Sequence, residues 1–389
     1  MQASARSIYL DHNATTPLDP RVLDAMLPFF MQDYGNAAST SHPFGWRARS
    51  AVEEARAVIA HAIHAAPEHD LVFTSGATES INLALKGLQP ERGKHHIVTS
   101  QIEHKAVLDS CRYLEQNGMD VTYVGVDAAG RVDLNHLAAA IGDRTHLVSI
   151  MLANNETGTV QDLAAIADLC RSKGVVLHTD ATQALGKIEV DLDRLHVGLA
   201  SFSAHKLYGP KGLGALYVRG DLRHRMQPQL HGGGHEYGLR SGTLNVPGIV
   251  GFAAALDICI KERPSESLRM ASLRKQLYES ICSQLDGVRV NGDAYNCLPG
   301  TLNLSFAYTD ADSILLEIPD IALSSGSACT SAKVEPSHVL KAMGVGDELA
   351  RASIRFGIGR FNTEVEIAYA ARRCIEAVTR LRAMSPLVA

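Results

Sequence analysis

A lysine at the end of a strand-like apolar run is the residue of this chain whose position most suggests covalent chemistry. Lys206 follows the apolar run 197–200 and the polar turn 201–205, and residues 208–212 (YGPKG) end any regular element beyond it. A lysine there would lie at the mouth of a sheet. Its amine could form a Schiff base with a carbonyl compound, pyridoxal phosphate (PLP) above all. The alternative is an ordinary surface charge, since lysine is nearly always exposed.

A carboxylate and an amide stand one strand earlier. Asp180 and Gln183 come at the end of an apolar run that starts at residue 175. Asp180 could pair with a protonated pyridine nitrogen, the charge that makes PLP an electron sink, and Gln183 could reach the phenolic oxygen of the ring. The alternative is that Asp180 caps a helix. Because Asp180 and Lys206 are separated by about one β–loop–β unit, adjacent strands could deliver both to one cleft.

Two further strand ends carry small or polar residues. Residues 74–80 (TSGATES) follow a strand and open a helix, so their backbone N–H groups could approach an anion. The alternative is a helix N-cap with Glu79 as the capping-box glutamate. His104 could stack on a cofactor and handle protons, although a lone histidine is more often structural. Four strand ends that converge on one pocket make chance a poor explanation.

Two residues near the C-terminal end could act on a substrate. Cys329 lies in a run of small residues, 324–332 (SSGSACTSA), which predicts a mobile, exposed thiol whose thiolate could be a nucleophile. A flexible linker with an incidental cysteine is the alternative. Arg355 lies in a strand-like run, 353–357, and could clamp a substrate carboxylate with two hydrogen bonds, or it could form a structural ion pair.

The elements that would position these residues alternate between short apolar runs and longer helix-period segments. This alternation predicts an α/β fold with a largely parallel sheet, whose sites collect at the carboxyl ends of the strands. Strands are predicted at 71–74, 96–99, 121–126, 146–152, 175–179, 199–203 and 214–218. Helices are predicted at 43–64, 79–88, 104–117, 133–140 and 162–173.

After about residue 258 the pattern changes. The charged stretch 260–266, which includes Pro264, predicts a break, and a long helical pattern follows from 268 to 285. Short strands are predicted at 288–290, 301–305 and 321–324, with a last helix at 364–384. We therefore expect a large α/β domain over residues 16–258, and a smaller α+β domain made of residues 1–15 and 259–389 that carries the Cys329 loop.

Composition excludes several classes of protein. A chain of 389 residues predicts two domains, and its net charge of −5 without basic runs disfavours a nucleic-acid binder. No apolar stretch approaches the about 18 residues of a membrane span, and the N-terminus lacks an apolar signal core, so we expect a cytoplasmic protein.

The seven cysteines do not predict a disulfide framework or a zinc site. Their number is odd, they are widely spaced and no C-x-x-C pair occurs. All except Cys329 lie in apolar or helix-like surroundings, where buried and inert thiols are expected. We expect no resident metal; a transient iron–sulfur ligand role for Cys329 is compatible with the sequence but not visible in it.

Together these segments resemble the cysteine desulfurases of the IscS/NifS type, within the class V aminotransferase-like PLP enzymes of fold type I (aspartate aminotransferase-like). The likeness extends nearly from end to end of the chain, and the combination of its motifs is specific. The segments that carry it are 9–17 (YLDHNATTP), 74–80, 103–107 (EHKAV), 154–158 (NNETG), 180–183 (DATQ), 203–214, 231–236 (HGGGHE), 240–243 (RSGT) and 324–331 (SSGSACTS).

The resemblance implies a role for each matching residue. Lys206 would bind PLP covalently and then take the substrate's α-proton. Cys329 would accept the sulfur as a persulfide. The other roles are Asp180 at the pyridine nitrogen, Gln183 at the phenolic oxygen, His104 on the ring, Ala77, Thr78, Ser203 and His205 at the phosphate, Thr243 at the phosphate from a second subunit, and Asn155 and Arg355 at the substrate carboxylate.

The resemblance also implies an activity and partners. L-cysteine would be converted to L-alanine by a homodimer with shared sites. The sulfur would pass to acceptor proteins for iron–sulfur cluster assembly and tRNA thiolation, which the long cysteine loop favours over a purely small-molecule lyase. One alternative is another PLP reaction, such as selenocysteine lyase or aminotransferase activity. A second alternative is a sulfur- or cluster-carrying protein without catalysis, against which the pairing of Lys206 with Asp180 argues.

Overall fold

The computed structural model of the protein describes residues 7–67, 69–325 and 336–384, and Cys329 lies outside the described residues. The strands are, in chain order, β1 (Ile8–Tyr9), β2 (Asp70–Thr74), β3 (His96–Ser100), β4 (Asp120–Val124), β5 (Thr145–Ser149), β6 (Val176–Asp180), β7 (Leu199–Ser203), β8 (Gly214–Val218), β9 (Val288–Val290), β10 (Thr301–Phe306), β11 (Ile321–Ala322), β12 (Ser324–Ser325) and β13 (Ser353–Gly357). The α-helices are α1 (Pro20–Met26), α2 (Pro28–Met31), α3 (Pro43–Ala62), α4 (Ala77–Gly87), α5 (Lys105–Gln116), α6 (Leu134–Ala140), α7 (Leu163–Ser172), α8 (Val246–Cys282), α9 (Ala311–Glu317), α10 (His338–Ala342), α11 (Asp347–Arg351) and α12 (Glu364–Met384).

The largest sheet has the strand order β2-β8-β7-β6-β5-β3-β4. β8 is antiparallel to both of its neighbours, and the remaining strands run in one direction. The carboxyl ends of these parallel strands therefore meet at one edge of the sheet, where the loops that follow β3, β5, β6 and β7 come together. The predicted α/β fold with a mostly parallel sheet is confirmed.

Both faces of this sheet are covered, because successive side chains of a strand point to opposite faces. Ile97 and Leu147 pack with apolar residues of α4 and α5 on one face, whereas Val98 and Val148 pack with α3 and α8 on the other. Strands buried on both faces read as continuous apolar runs, which is why they could be located from the sequence. Two of the predicted strands, 121–126 and 146–152, extend beyond the observed carboxyl ends of β4 and β5.

A second core lies around the antiparallel sheet β12-β13-β10-β9. Leu277 of α8 and Leu304 of β10 pack there with Phe356 of β13 and with the inner face of α12. The predicted strand 321–324 is split, since β11 pairs with β1 and β12 pairs with β13. This arrangement brings β12, the last described strand before Cys329, alongside the strand that carries Arg355.

The predicted break at residues 260–266 is wrong, because α8 continues through it with Pro264 inside the helix. The charged residues of this stretch are used by neighbouring elements. Glu262 accepts from Arg21 at 2.5 Å and lies 3.3 Å from Arg360, while Arg263 donates to the carbonyl of Ile188. These tertiary contacts stabilise a helix that local sequence disfavours. The predicted boundary between residues 258 and 259 falls inside α8, and the division into domains stays a prediction.

In the described part of the chain, no helix combines the length and the apolarity that a membrane crossing requires.

Candidate active site

A cavity of about 630 Å³ opens at the carboxyl edge of the large sheet. It is lined by Ala77, Thr78, His104, Asn155, Asp180, Gln183, Ser203, His205, Lys206 and Arg355. These residues come from six separate segments of the chain, so the fold brings together most of the predicted site. The exposed Thr243 does not line the cavity of its own chain, and Cys329 lies outside the described residues.

Lys206 ends a single 3₁₀ turn, Ala204–Lys206, that follows β7 directly. Its Nζ donates to two backbone carbonyls of the N-terminal segment, that of Asn13 at 2.7 Å and that of Ala14 at 2.5 Å. The half-buried amine is therefore held at the cavity wall rather than extended into solvent. An amine fixed in this way is placed to react with a carbonyl group in the cavity.

Asp180 is the last residue of β6 and is 7% exposed. Its Oδ1 accepts from the backbone N–H of Thr182 at 3.0 Å, so the carboxylate supports a local turn as well as lining the cavity. The hydroxyl of Thr182 is buried and has no hydrogen-bond partner within the described ranges. The site therefore presents a nearly buried carboxylate at the cavity wall, which suits a polar heterocycle as a ligand.

His104 caps α5, and its Nδ1 accepts from the backbone N–H of Ala106 at 3.1 Å. Burial lowers the pKa of the imidazole, the charge of Lys206 lowers it further, and the nearby Asp180 opposes both effects. Because Nδ1 accepts a hydrogen bond, the neutral ring carries its proton on Nε2. His104 could thus offer an Nε2–H donor at the cavity, and its capping role fixes the orientation of the ring.

The N-terminus of α4 faces the same cavity and could hold a phosphate. Its N-cap is Gly76, and no side chain caps the helix. The first backbone N–H groups, of Ala77 and Thr78, belong to the set that a helix leaves unpaired at its N-terminus. Glu79 instead accepts from the N–H of Ser75 and pairs with Arg240 at 2.8 Å, so the predicted capping box is only half present.

Ser203 and His205 line the same cavity as this helix end and could also contact an anion there. Within the described part of the chain, the only hydrogen bond of the Ser203 hydroxyl is a long one, 3.5 Å, to the carbonyl of Leu213. His205 contacts the hydroxyl of Thr15 through Nδ1 at 3.0 Å, and burial, together with Lys206, lowers the pKa of its imidazole to about 4. His205 is therefore neutral at physiological pH and would serve a phosphate as a hydrogen-bond donor rather than as a cation.

Arg355 is buried in β13 and is 6% exposed. Its Nη1 donates to the carbonyl of Asn155 at 3.0 Å, and its Nη2 donates to Asp11 at 2.7 Å. Of the two alternatives that the sequence left open, the structure shows the internal ion pair. Arg355 also lines the cavity, and its role at a substrate carboxylate stays a prediction.

Gln183 belongs to a network behind Lys206. Its Nε2 donates to the carbonyl of Asn13 at 2.9 Å, and its Oε1 accepts from Lys187 at 2.9 Å. Burial lowers the pKa of Lys187 to about 7, with the charge of Lys206 acting in the same direction. The amide that was predicted to reach a phenolic oxygen therefore already has protein partners at both ends.

Sequence reasoning missed three acidic residues at or near this site. Asp11 lines the cavity, while Glu103 and Glu156 are buried behind it. Burial raises the pKa of Glu103 to about 8 and that of Glu156 to about 7. Each lies within a motif that was noted, at 9–17, 103–107 and 154–158, but nothing in the pattern distinguished it from an ordinary polar residue.

The remaining cysteines only partly match expectation. Cys111, Cys170, Cys259 and Cys374 are buried, as predicted, and burial raises the pKa of each thiol. Cys282 and Cys297 are half-buried, so the prediction of buried thiols is wrong for these two. Cys297 lies against the guanidinium of Arg274.

The residues of the cavity fit PLP. The uncapped start of α4 offers N–H donors for the phosphate, and Asp180 offers a carboxylate for the ring nitrogen. The amine of Lys206, which donates to the carbonyl of Asn13, lies at the cavity wall where the aldehyde would bind. The volume of about 630 Å³ leaves room for the cofactor.

The chain is similar to known proteins over most of its length. The Aminotransferase class-V family profile matches residues 8–369. "Cysteine desulfurase IscS" from Anaeromyxobacter sp. (strain K) is 53% identical over 383 residues, which cover 98% of this chain and 94% of that protein. A solved "NIFS-LIKE PROTEIN" superposes with a TM-score of 0.90 at 39% identity, covering 96% of this chain and all of that one. "SspA in complex with cysteine" gives a TM-score of 0.81 at 36% identity, covering 92% and 100%. The chain therefore belongs to the class V aminotransferase family of PLP-dependent enzymes, within its IscS/NifS-type cysteine desulfurases.

Proposed function

We propose that this protein converts L-cysteine to L-alanine and retains the sulfur as a persulfide on Cys329. The observation that carries the proposal is the convergence of Lys206, Asp180 and the uncapped start of α4 on one cavity. Similarity to relatives named cysteine desulfurase supports it. An aminotransferase would use the same cavity, but it has no need of a thiol in the segment 324–331.

The residues divide the work by position. Bound PLP supplies electron withdrawal from the substrate's α-carbon, and Asp180 would keep the ring nitrogen protonated for that purpose. Lys206 would hold the cofactor, and after exchange with the substrate's amine it would take the α-proton at Nζ. The Nε2–H of His104 would face the reacting atoms. Asn155 and Arg355 would hold the substrate carboxylate.

Cys329 would complete the reaction. Its thiolate would attack the substrate's sulfur, so that the C–S bond breaks and a S–S bond forms. Alanine would leave after the β-carbon gains a proton and the α-carbon regains the proton that Lys206 had taken. The persulfide would then pass to acceptor proteins of iron–sulfur cluster assembly and tRNA thiolation, in the cytoplasm.

A second copy of the chain would complete each site. Thr243 is exposed and lies away from its own cavity, as expected if it reaches the phosphate of the partner's cofactor. Sedimentation of the purified protein would give the mass of a dimer. Thr243→Ala should then weaken PLP binding; unchanged PLP affinity would contradict the shared site.

The activity is tested by comparing the variant Lys206→Ala with a control variant, Lys173→Ala, in which an exposed lysine is replaced. The wild type and the control should absorb near ~420 nm once PLP is added, as expected for a lysine-bound cofactor, and release alanine from L-cysteine. Lys206→Ala should do neither. A Lys206→Ala protein that still shows this absorbance and still releases alanine would contradict the proposal.

A further inference from the structure

The guanidinium of Arg355 already holds a carboxylate that belongs to the protein. Arg355 Nη2 lies 2.7 Å from Asp11 Oδ1, and the two side chains are only 7% and 15% exposed. The pair joins β13 to the loop after β1, two segments separated by more than 300 residues of chain. The carboxylate of Asp11 is thus bound to the guanidinium that would otherwise attract a substrate carboxylate.

The remaining donors of Arg355 leave little choice of approach. Its Nε is buried and has no partner among the described residues, while Nη1 donates to the carbonyl of Asn155. Because Nε is closed off, a carboxylate that enters the cavity has to meet the Nη edge, where Asp11 is bound. Two carboxylates at one guanidinium repel each other, so an incoming one has to compete with Asp11.

Asp11 is held by a second contact as well. Its Oδ2 accepts from the hydroxyl of Ser324 at 2.8 Å. Ser324 is opposite Arg355 in the β12–β13 pair, and β12 is the last described strand before the segment 326–335. A displacement of the Asp11 carboxylate from Arg355 would therefore also change its hydrogen bond to Ser324.

We propose that Asp11 is a specificity-determining and positioning residue: it competes with the substrate carboxylate for Arg355, and this competition is coupled to the hydrogen bond between Asp11 and Ser324. The proposal rests on the function proposed above. An internal carboxylate makes Arg355 a weak site for simple carboxylates. A substrate then has to contribute its amine as well as its carboxylate to displace Asp11, which favours α-amino acids.

The test is equilibrium binding of L-alanine to the PLP-loaded protein, measured by the change in cofactor absorbance. Asp11→Asn keeps the shape of the side chain and removes its charge, so alanine should bind about tenfold more tightly, equivalent to about 1.4 kcal/mol. L-alaninol, which lacks the carboxylate, should bind equally to both proteins. Weaker or unchanged alanine binding by Asp11→Asn would overturn the proposal, and so would an equal shift for alaninol.

The matched control is Asp168→Asn. Asp168 pairs with Arg171 through the same atoms at the same 2.7 Å, but on the exposed face of α7. This variant should bind alanine as the wild type does. It separates competition at Arg355 from the general effect of removing one negative charge; a control that tightens alanine binding as much as Asp11→Asn would also overturn the proposal.

The coupling to Ser324 is tested by a double-mutant cycle. Ser324→Ala removes one of the two side-chain contacts that hold the Asp11 carboxylate within the described ranges, so alanine should bind severalfold more tightly. This effect should vanish in the Asp11→Asn background. Additive effects would refute the coupling.

Removing one partner of a buried pair can destabilise a protein strongly. If Asp11→Asn shows no thermal unfolding transition, Ser324→Ala decides alone: it has to tighten alanine binding and leave alaninol binding unchanged, and weaker or unchanged alanine binding would overturn the proposal. The binding measurements need no turnover. Failure of wild-type alanine release would therefore refute the proposed function without deciding the role of Asp11.

Discussion

Replacing Glu103 with glutamine should make the protein progressively more stable than the wild type as the pH rises. Glu103 is fully buried, and its Oε1 accepts from the Ser100 hydroxyl at 2.7 Å and from the N–H of Met151 at 2.9 Å. Its Oε2 has no partner among the described residues. Burial raises the pKa of the carboxyl from 4.5 to about 8, the nearby Asp180 raises it further, and the two hydrogen bonds oppose the shift.

The sign and size of the effect follow from proton linkage. Between pH 4.5 and 8 the folded protein keeps a proton on Glu103 that the unfolded chain has lost, so wild-type stability falls as the pH rises. The loss is about 2.5 kcal/mol between pH 5 and pH 7, and it approaches about 5 kcal/mol above pH 8. The Glu103→Gln protein cannot ionise there. Its new amide N–H₂ lacks an acceptor at the Oε2 position, a cost of about 1 to 3 kcal/mol that does not depend on pH.

Urea unfolding of both proteins from pH 5 to pH 9 measures the difference. Glu103→Gln should be the less stable protein at pH 5, and the difference should reverse near neutral pH. Glu279→Gln, at an exposed position on α8, controls for the loss of a carboxylate from the surface. A difference between Glu103→Gln and wild type that stays constant with pH, or that falls as the pH rises, would refute the reasoning.

Three further substitutions test other parts of the account. Asp180→Asn keeps the acceptor for Thr182 but removes the charge, so alanine release should fall by about 100-fold while the Tm changes little. Gly214→Ala would place a Cβ 2.5 Å from the carbonyl oxygen of Phe202 and 2.6 Å from the backbone of Gly76, so PLP affinity should fall, together with about 1 to 3 kcal/mol of stability; unchanged PLP titration and Tm would contradict this packing. Pro264→Ala restores a helical N–H inside α8 and should raise the free energy of unfolding by about 1 to 2 kcal/mol; a lower value would show that the helix requires its proline.

The large sheet could be predicted because strands that are buried on both faces appear in the sequence as short, continuous apolar runs. The strands β7 and β8 match the predicted ranges 199–203 and 214–218 residue for residue, and in both every residue is buried. The helix α8 could not be predicted, because the partners that stabilise its charged stretch are distant in sequence. Arg21 and Arg360, which both contact Glu262, lie about 100 residues or more away on either side. Local pattern carries no information about such contacts.

The same distinction applies to the site. The positions of Lys206 and Asp180 could be predicted because Asp180 ends β6 and Lys206 follows β7 after a single 3₁₀ turn, and parallel strands bring such ends together. Asp11 could not be singled out, because its importance comes from Arg355 and Ser324, which approach it only in the folded chain. Glu103 likewise depends on the depth at which the fold buries it, and its motif does not reveal that depth.

The central claim is that Lys206 and Asp180 activate L-cysteine and that Cys329 takes its sulfur. The most direct test is a single turnover of the PLP-loaded protein with L-cysteine and no acceptor, in which released alanine and the mass of the Cys329 peptide are measured together. We predict one extra sulfur atom on Cys329 for each alanine formed, and no extra sulfur on any of the other six cysteines. Alanine formation at the wild-type rate by Cys329→Ala, or sulfur found on another cysteine while Cys329 stays unmodified, would contradict the account.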